Sequence, residues 1–508
     1  MLNAATAFLD EHVAAGRADR PALITPGGAL AYGELHALAC RVGAKLRQLD
    51  VQPESRVVLL LHDTPAFVAA FFGAIRVGAV AVPLSTRLAP EGVAAILDDS
   101  RARVLIADRA LLEPLRARLP QARQLRAVIE CGPAGDFSDA VPPLPAFAAA
   151  DPEPMCEDDM AFWLYTSGTT GAPKAAVHLH RDLLAWRPYG CEVLGITAAD
   201  RVFATSRLFF AYALGSTLFV ALASGASVVL EEPWPDPAAV ERIMRLARPT
   251  IFFSVPTMYA RLLRAGLPPD TFRSARFGVS AGERLPAQLY HAFRERFGLE
   301  ILDGMGATET VFMVFSNHPG RSRPGSSGTP VPGTEVRLLD AEGREVAAGE
   351  EGVLHVRAPS VSPCYWRRVE RSRRTFVGEW FRTGDVYIRD ADGFYTHRGR
   401  EDDLFKVAGM WVVPAEVEAA LLTHPDVLEA AVVGVEEQGG LVKGFAFVVP
   451  RQPVDVPETL VDELTRHAER SLAPHQRPRA IRLVADLPRT ATGKLQRFRL
   501  KEGVSRAP

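Results

Sequence analysis

Hydrophobic positions along this chain change period repeatedly. Apolar residues recur at helical spacing in YGELHALACRVGAKLRQL, and the uninterrupted run RVVLLL soon after it reads as a buried strand. TPAFVAAFFGAIRVG is helical again, and AVAVPL is extended. The same couple returns in AAVERIMRLARP with TIFFSV, and in PAQLYHAFRERFG with LEILDG. Helix and strand in turn predict a mainly parallel sheet covered by helices, here an α/β fold of two α/β subdomains over about residues 1–324.

From about Gly325 the pattern shortens. GTEVRLLDAEGREV, GVLHVRAP and DVYIRDADGFYTHRGR are short strands joined by Gly-containing turns such as DADGF, which predicts a β-rich subdomain over about 325–400. These units form an N-terminal domain, 1–400. After Arg400 the texture changes again: VPAEVEAALLTH begins a helix with Pro414 in its first turn, and EAAVVGV and GFAFVVP are strands. PETLVDELTRHAERSL carries Leu460, Leu464, Ala468 and Leu472 on one face, and AIRLVADLP is a last strand. This predicts a small, mobile α+β C-terminal domain over 401–508, reached through the charged segment GREDDLFK.

Two stretches need separate treatment. Leu2, Ala5, Phe8, Leu9 and Val13 have helical spacing and predict a surface helix at the N-terminus. Leu208 to Leu230 carries no charge and has the length to span a bilayer. Gly225 and the β-branched residues after it divide that stretch into a buried helix, a turn and a buried strand.

Composition then narrows the class. A chain of 508 residues, 48% hydrophobic, can build one large layered domain and a smaller one. A net charge of −2 creates no field that would draw nucleic acid or an anionic membrane. The five cysteines form no CxxC or CxxH pair, which argues against metal and disulfide frameworks and for a reducing compartment, the cytoplasm. The first residues carry acids and no basic run, unlike a signal peptide. A monomer and a homodimer fit the sequence equally.

One segment suits neither a core nor a helix: YTSGTTGAPK. Gly168 and Gly171 let backbone N–H groups approach a ligand, and Thr166, Ser167, Thr169 and Thr170 add hydroxyl donors. Lys174 adds a mobile positive charge. Together these features suit polyphosphate. A flexible linker would need neither the Pro–Lys ending nor the apolar AFWLY before it. The loop is not a Walker A motif, because Ala172 and Pro173 separate Gly171 from Lys174.

This loop resembles the phosphate loop of the acyl-adenylate-forming (AMP-binding) superfamily, which includes acyl- and aryl-CoA ligases, adenylation domains of peptide synthetases and luciferases. SAGE (Ser280–Glu283) and DGMGATE (Asp303–Glu309) are similar to its adenine and magnesium motifs, and WFRTGDV (Trp380–Val386) to its ribose motif. GREDDLFKVAGMWVVPAEVE resembles its hinge, and PRTATGKLQR its C-terminal lysine motif. The resemblance covers essentially the whole chain.

It implies ATP, Mg²⁺ and coenzyme A as reactants and cofactors. The loop Thr166–Lys174 would hold the β- and γ-phosphates. Thr308 would touch the α-phosphate, and Glu309 would help hold Mg²⁺, a hard cation suited to oxygen ligands. Asp303, Gly304 and Met305 would border adenine, with Ala281, Gly282 and Glu283 at the same end. Asp385 would take the ribose hydroxyls, and Arg400 would lie near the ribose and α-phosphate. Lys494 would be the catalytic cation, bridging the substrate carboxylate and the α-phosphate. Asp402 would be the hinge on which Lys494 swings out and Lys406, Gly409 and Trp411 swing in to line a thiol tunnel.

RLFFAYALG (Arg207–Gly215), the opening NAA and FSNHPG resemble the benzoate-CoA ligase subgroup. This implies an aryl acid pocket of Ala211, Tyr212, Gly306, Phe312 and Met313. Phe312 stands where that subgroup often has histidine, so an apolar or differently substituted aryl acid fits as well as benzoate. The implied reaction activates an aryl carboxylic acid to an acyl-AMP and passes it to coenzyme A. The alternative acceptor is a carrier protein, and the basic run WRRVERSRRTF could face CoA phosphates or an acidic carrier, or be a solvated loop. Retention of Glu309, Asp385 and Lys494 disfavours a non-catalytic sensor.

The hinge expectation is testable. Proline at position 402 fixes one backbone angle, so Asp402→Pro should slow thioester formation more than acyl-AMP formation when the two half-reactions are timed separately. Equal loss in both would reject the hinge.

Overall fold

The computed structural model describes residues 2–132, 151–167, 173–407, 410–436, 441–452, 457–489 and 495–505. Two large sheets form its centre. The first has six strands in the order Ala127–Cys131, Val104–Asp108, Arg56–Leu60, Val80–Pro83, Met160–Ser167 and Pro173–Leu179. All its pairings are parallel except the last, where Met160–Ser167 turns back on Pro173–Leu179. The second sheet has nine strands, with a parallel middle of Ile301–Gly306, Phe277–Ser280, Ile251–Ser254, Arg201–Ala204, Ser227–Val229 and Pro21–Thr25. Antiparallel strands close both of its edges: Gly28–Ala31 on one, Met313–Ser316 and Thr329–Pro330 on the other.

Helices fill the space between and around these sheets, as the alternating pattern requires. Pro65–Arg76 begins with proline at its first turn and is buried along its whole length. Ala287–Phe297 ends on Gly298 in the left-handed region, the usual way a helix stops. A five-stranded antiparallel sheet follows, built from Glu335–Leu339, Glu351–Arg357, Phe376–Val377, Trp380–Arg389 and Tyr395–Arg400. The C-terminal segment folds as a sheet of Val427–Glu436, Val442–Pro450 and Ala480–Leu483, backed by Pro414–Leu422 and Pro457–Ser471.

Aromatic rings join the two large sheets. Phe219 lies 5.4 Å from Phe8, 5.6 Å from Phe71, 5.8 Å from Phe162 and 6.4 Å from Phe312 between ring centroids. Edge-to-face and tilted contacts of this kind stabilise beyond area burial alone. This cluster also corrects one expectation. The N-terminal residues form two short helices, Ala4–Phe8 and Asp10–Ala14, rather than one surface helix. Ala5, Phe8 and Leu9 are buried, and the Asn3 amide donates to the carbonyls of Ile75, Arg76 and Glu153.

The uncharged stretch Leu208–Leu230 is helix, turn and strand, with Ser227–Val229 inside the nine-stranded sheet. Its helical part contains a wide π turn at Leu214–Phe219, a feature often found at functional sites. Among the described residues no helix is long and apolar enough to cross a membrane.

One polar cluster ties the N-terminal helices together. Arg76 donates to both carboxylate oxygens of Asp10, at 2.7 and 2.6 Å, and His36 meets the same carboxylate at 3.2 Å. The hydrogen bond to Asp10, reinforced by Cys40, pushes the His36 imidazole up to about 9 from an ordinary 6.5. A raised folded-state pKa means stability present below the unfolded value and lost as pH climbs through the folded one. His36→Asn should therefore lower the melting temperature clearly at pH 6 and hardly at pH 9.5. A melting difference that does not change with pH would contradict this.

Candidate active site

The site forms where three segments meet. The hairpin of Met160–Ser167 and Pro173–Leu179 sets Thr166 opposite Lys174. Gly168, Thr169, Thr170 and Gly171 lie outside the described residues, so their expected phosphate contacts remain expectations. The second segment is the turn after Ile301–Gly306, where Thr310 Oγ1 accepts from the Ala307 amide at 3.1 Å and donates to the Phe312 carbonyl at 3.0 Å. Val311, just behind Glu309 and Thr310, has φ of +60°, a costly backbone for a β-branched residue. The third segment, around Tyr365, pairs with the returning strand of the hairpin: the Val177 amide donates to Cys364 O at 3.0 Å, and Trp366 to Ala175 O at 2.9 Å.

These segments bring Lys174, Glu309 and Tyr365 together. Lys174 Nζ lies 3.4 Å from Glu309 Oε1 and 3.7 Å from the centre of the Tyr365 ring. The Tyr365 hydroxyl donates to the same Glu309 oxygen at 2.5 Å. Burial pushes the Lys174 ammonium below its ordinary pKa, the Glu309 charge pulls the other way, and the Arg371 charge adds to the lowering. Thr308 is held through its backbone: His178 Nε2 donates to its carbonyl at 2.9 Å. The His178 ring is itself fixed, stacked 4.7 Å from Phe162 with Nδ1 3.0 Å from Asp182.

The expected ribose group is also assembled. Asp385 accepts from Arg400 at 3.1 Å and lies 3.2 Å from His397 Nε2. Burial works against its ionisation, yet the His397 hydrogen bond and the Arg400 charge hold its carboxyl below the usual range. Gly384 makes this possible: its φ is +76°, and a Cβ there would stand 2.9 Å from Arg400 Nη2.

At the expected adenine end, Asp303 is buried, and burial pushes its carboxyl up to about 8. Among the described residues its Oδ1 has no hydrogen-bond partner, a polar atom suited to a ligand donor. Ala281 is buried, Gly282 has φ of +87°, and Glu283 accepts from the Thr257 hydroxyl at 2.6 Å. Gly304 and Met305 face the strand Met313–Ser316 across an antiparallel hairpin.

Of the residues expected to line an acid pocket, Gly306, Phe312 and Met313 lie on the same hairpin and Ala211 and Tyr212 on a helix. Gly306 pairs with Met313, and a Cβ at Gly306 would stand 2.9 Å from the Phe312 carbonyl. Phe312 and Met313 are buried, and Phe312 packs on Phe219 of the helical segment that begins at Ala211 and Tyr212. The Tyr212 hydroxyl donates to the carbonyls of Ser254 and Val279, both at 3.0 Å.

Lys406 sits over the Trp411 ring at 4.6 Å on a two-stranded hairpin whose Met410 and Trp411 are about half exposed. Gly409 and Lys494 lie outside the described residues. Asp402 is exposed, and its neighbour Asp403 lies 3.5 Å from Arg497, which also pairs with Glu418. The basic run after Tyr365 is partly docked: Trp366 packs on Trp163 at 4.6 Å, and Arg368 meets Asp99 at 3.2 Å. Sequence reasoning missed Tyr365, His178 and His397, which carry no periodic or motif signal of their own.

Comparisons with known proteins show the family of the chain. Residues 10–366 match the AMP-binding enzyme family, and residues 416–494 match the AMP-binding enzyme C-terminal domain. The chain is 42% identical to a 4-hydroxybenzoate–CoA/benzoate–CoA ligase of Rhodopseudomonas palustris, over 98% of this chain and 94% of that one. It is 41% identical to the benzoate–CoA ligase of Thauera aromatica, over 98% and 95%. A benzoate CoA ligase structure from Burkholderia xenovorans superposes with a TM-score of 0.89 at 40% identity, covering 99% of this chain and 100% of that one. A structure of the anthranilate CoA ligase AuaEII in complex with anthranoyl-AMP gives 0.90 at 38%, over 99% and 97%. By sequence and by fold, the chain belongs to the AMP-binding enzyme family, with that family's C-terminal domain.

Proposed function

We propose that this enzyme activates an aryl carboxylic acid of the benzoate class with ATP and transfers the acyl group to coenzyme A. The observation that carries the reading is the contact of Lys174 with the buried Glu309, together with the Asp385–Arg400 clasp. One place offers a cation and hydroxyls for phosphate; the other offers an acceptor for ribose hydroxyls. Relatives matching nearly the whole chain act on benzoate, hydroxybenzoates or anthranilate.

A carboxylate repels nucleophiles and leaves badly, so it must first become a mixed anhydride with AMP. Lys174 and the phosphate loop would orient the triphosphate, and Thr308 would meet the α-phosphate. Asp385 and Arg400 would fix the nucleoside end, which sets the α-phosphorus against the acid. Glu309, a buried carboxylate with oxygen donors only, fits Mg²⁺, which would shield the phosphate charge. Lys494, brought by the C-terminal domain, would stabilise the charge that develops as the carboxyl oxygen displaces pyrophosphate. Turning about Asp402 would then withdraw Lys494 and present Lys406, Gly409 and Trp411 to the pantetheine thiol, which attacks the acyl carbon and releases AMP.

The pocket walls favour a flat apolar ring. Tyr212 gives its hydroxyl to two backbone carbonyls and so presents its ring, and Phe312 adds apolar surface in place of a polar group. The absence of any CxxC or CxxH pair in the sequence supports a cytoplasmic enzyme.

The test is an AMP-release assay with benzoate and its hydroxy and amino derivatives. Coenzyme A and a phosphopantetheinylated carrier protein are supplied in separate reactions. The expected outcome is aryl-acid-dependent AMP formation that requires coenzyme A. Turnover with the carrier alone would replace coenzyme A as acceptor, and absence of pyrophosphate exchange with every aryl acid would overturn the reading.

A further inference from the structure

We propose that Tyr365 is a positioning residue for metal and phosphate binding, with its hydroxyl orienting Glu309 and its ring face holding Lys174. The inference rests on reading Glu309 and Lys174 as the magnesium and phosphate groups.

Tyr365 is placed with unusual rigidity. Its neighbours Cys364 and Trp366 are hydrogen-bonded to Val177 and Ala175 of the strand that returns from the phosphate loop. Its own amide donates to Ser372 Oγ at 3.0 Å, and its ring lies 5.1 Å from that of Phe376. The side chain is 3% exposed. A ring so fixed can set the position of whatever touches it.

Its two contacts do different work. The hydroxyl lies 2.5 Å from Glu309 Oε1, the short range of a charge-assisted bond. A carboxylate oxygen accepts only, so the phenol hydroxyl is the donor of this pair. The bond therefore fixes the rotation of the Glu309 carboxylate before any metal arrives. The ring face meets the other partner, with Lys174 Nζ 3.7 Å from its centre, inside the range of cation–π attraction.

The combination explains a loose ion pair. Lys174 and Glu309 stand 3.4 Å apart, longer than the roughly 2.7–2.9 Å of a tight ammonium–carboxylate bond. The Tyr365 hydroxyl already occupies Oε1, and the ring draws the ammonium toward its face. A pair held off in this way opens at lower cost when phosphate claims Lys174 and the metal claims Glu309. A fully closed buried pair would compete with both ligands.

Two variants separate the contacts. Tyr365→Phe keeps the ring and removes the hydroxyl, whereas Tyr365→Leu removes both. The readout is ATP binding by calorimetry across a Mg²⁺ titration, with thermal unfolding recorded alongside. No aryl acid is needed, so the result is independent of whether any tested acid is a substrate. Tyr365→Phe should raise the half-saturating Mg²⁺ concentration by about tenfold while ATP affinity at saturating Mg²⁺ and the melting temperature hold. Tyr365→Leu should lose ATP affinity even at saturating Mg²⁺, as Lys174 closes on Glu309. A Mg²⁺ titration of Tyr365→Phe that overlays the wild type would overturn the proposal. So would equal ATP affinity in all three proteins, or losses that merely track the melting temperature.

Discussion

The contact on which this structure turns is the buried meeting of Lys174 with Glu309. Lys174 comes from the six-stranded sheet, Glu309 from the turn that ends a strand of the nine-stranded sheet, and Tyr365 from the connection between Glu351–Arg357 and Phe376–Val377 of the five-stranded sheet. No single layer contains the site. Its geometry is set by how the layers pack, and the packing is fixed by the Phe219 ring cluster, which reaches from Phe8 to Phe312. Burying two charges is costly unless their arrangement is good, and the proposed role in receiving triphosphate gives a reason to keep both.

Around that contact the chain holds its reactive groups through the backbone. His178 fixes the Thr308 carbonyl, Thr310 ties the turn to Ala307 and Phe312, and Val311 accepts a strained backbone between them. The Asp385 carboxylate is held ionised by Arg400 and His397, whereas burial keeps the Asp303 carboxyl up to about 8. Two carboxyl groups at the two ends of one nucleotide would thus carry different charge: one suits hydroxyl donors on a ribose, and the other suits the neutral surface of a base.

Much of this was legible in the sequence, for a physical reason. Helices and buried strands declare themselves through short-range period, so Tyr32–Gln48, Arg56–Leu60 and Pro65–Arg76 stood out. The phosphate loop stood out because its residue types suit few other tasks, and the ATE turn and the TGD strand were legible through their resemblance to a known family's motifs. The rest depended on distance along the chain. Tyr365 meets Glu309 across 56 positions and His178 meets Thr308 across 130, and no local pattern encodes such partners. The N-terminal helix looked like a surface element because its spacing showed one apolar face. Only the fold reveals that Asn3 and Phe8 are enclosed by Pro65–Arg76 and Phe219. The π turn at Leu214–Phe219 left no trace in an apolar run.

The central claim is that the Lys174–Glu309 junction serves adenylation and not the thiol step. Its most direct measurement compares the two half-reactions in Glu309→Gln, using aryl-acid-dependent pyrophosphate exchange for the first and thioester formation from supplied aryl-AMP for the second. The account predicts that exchange falls by about a hundredfold or more while thioester formation from the preformed adenylate stays near the wild-type rate. Exchange that survives the substitution, or equal loss in both steps, would contradict it.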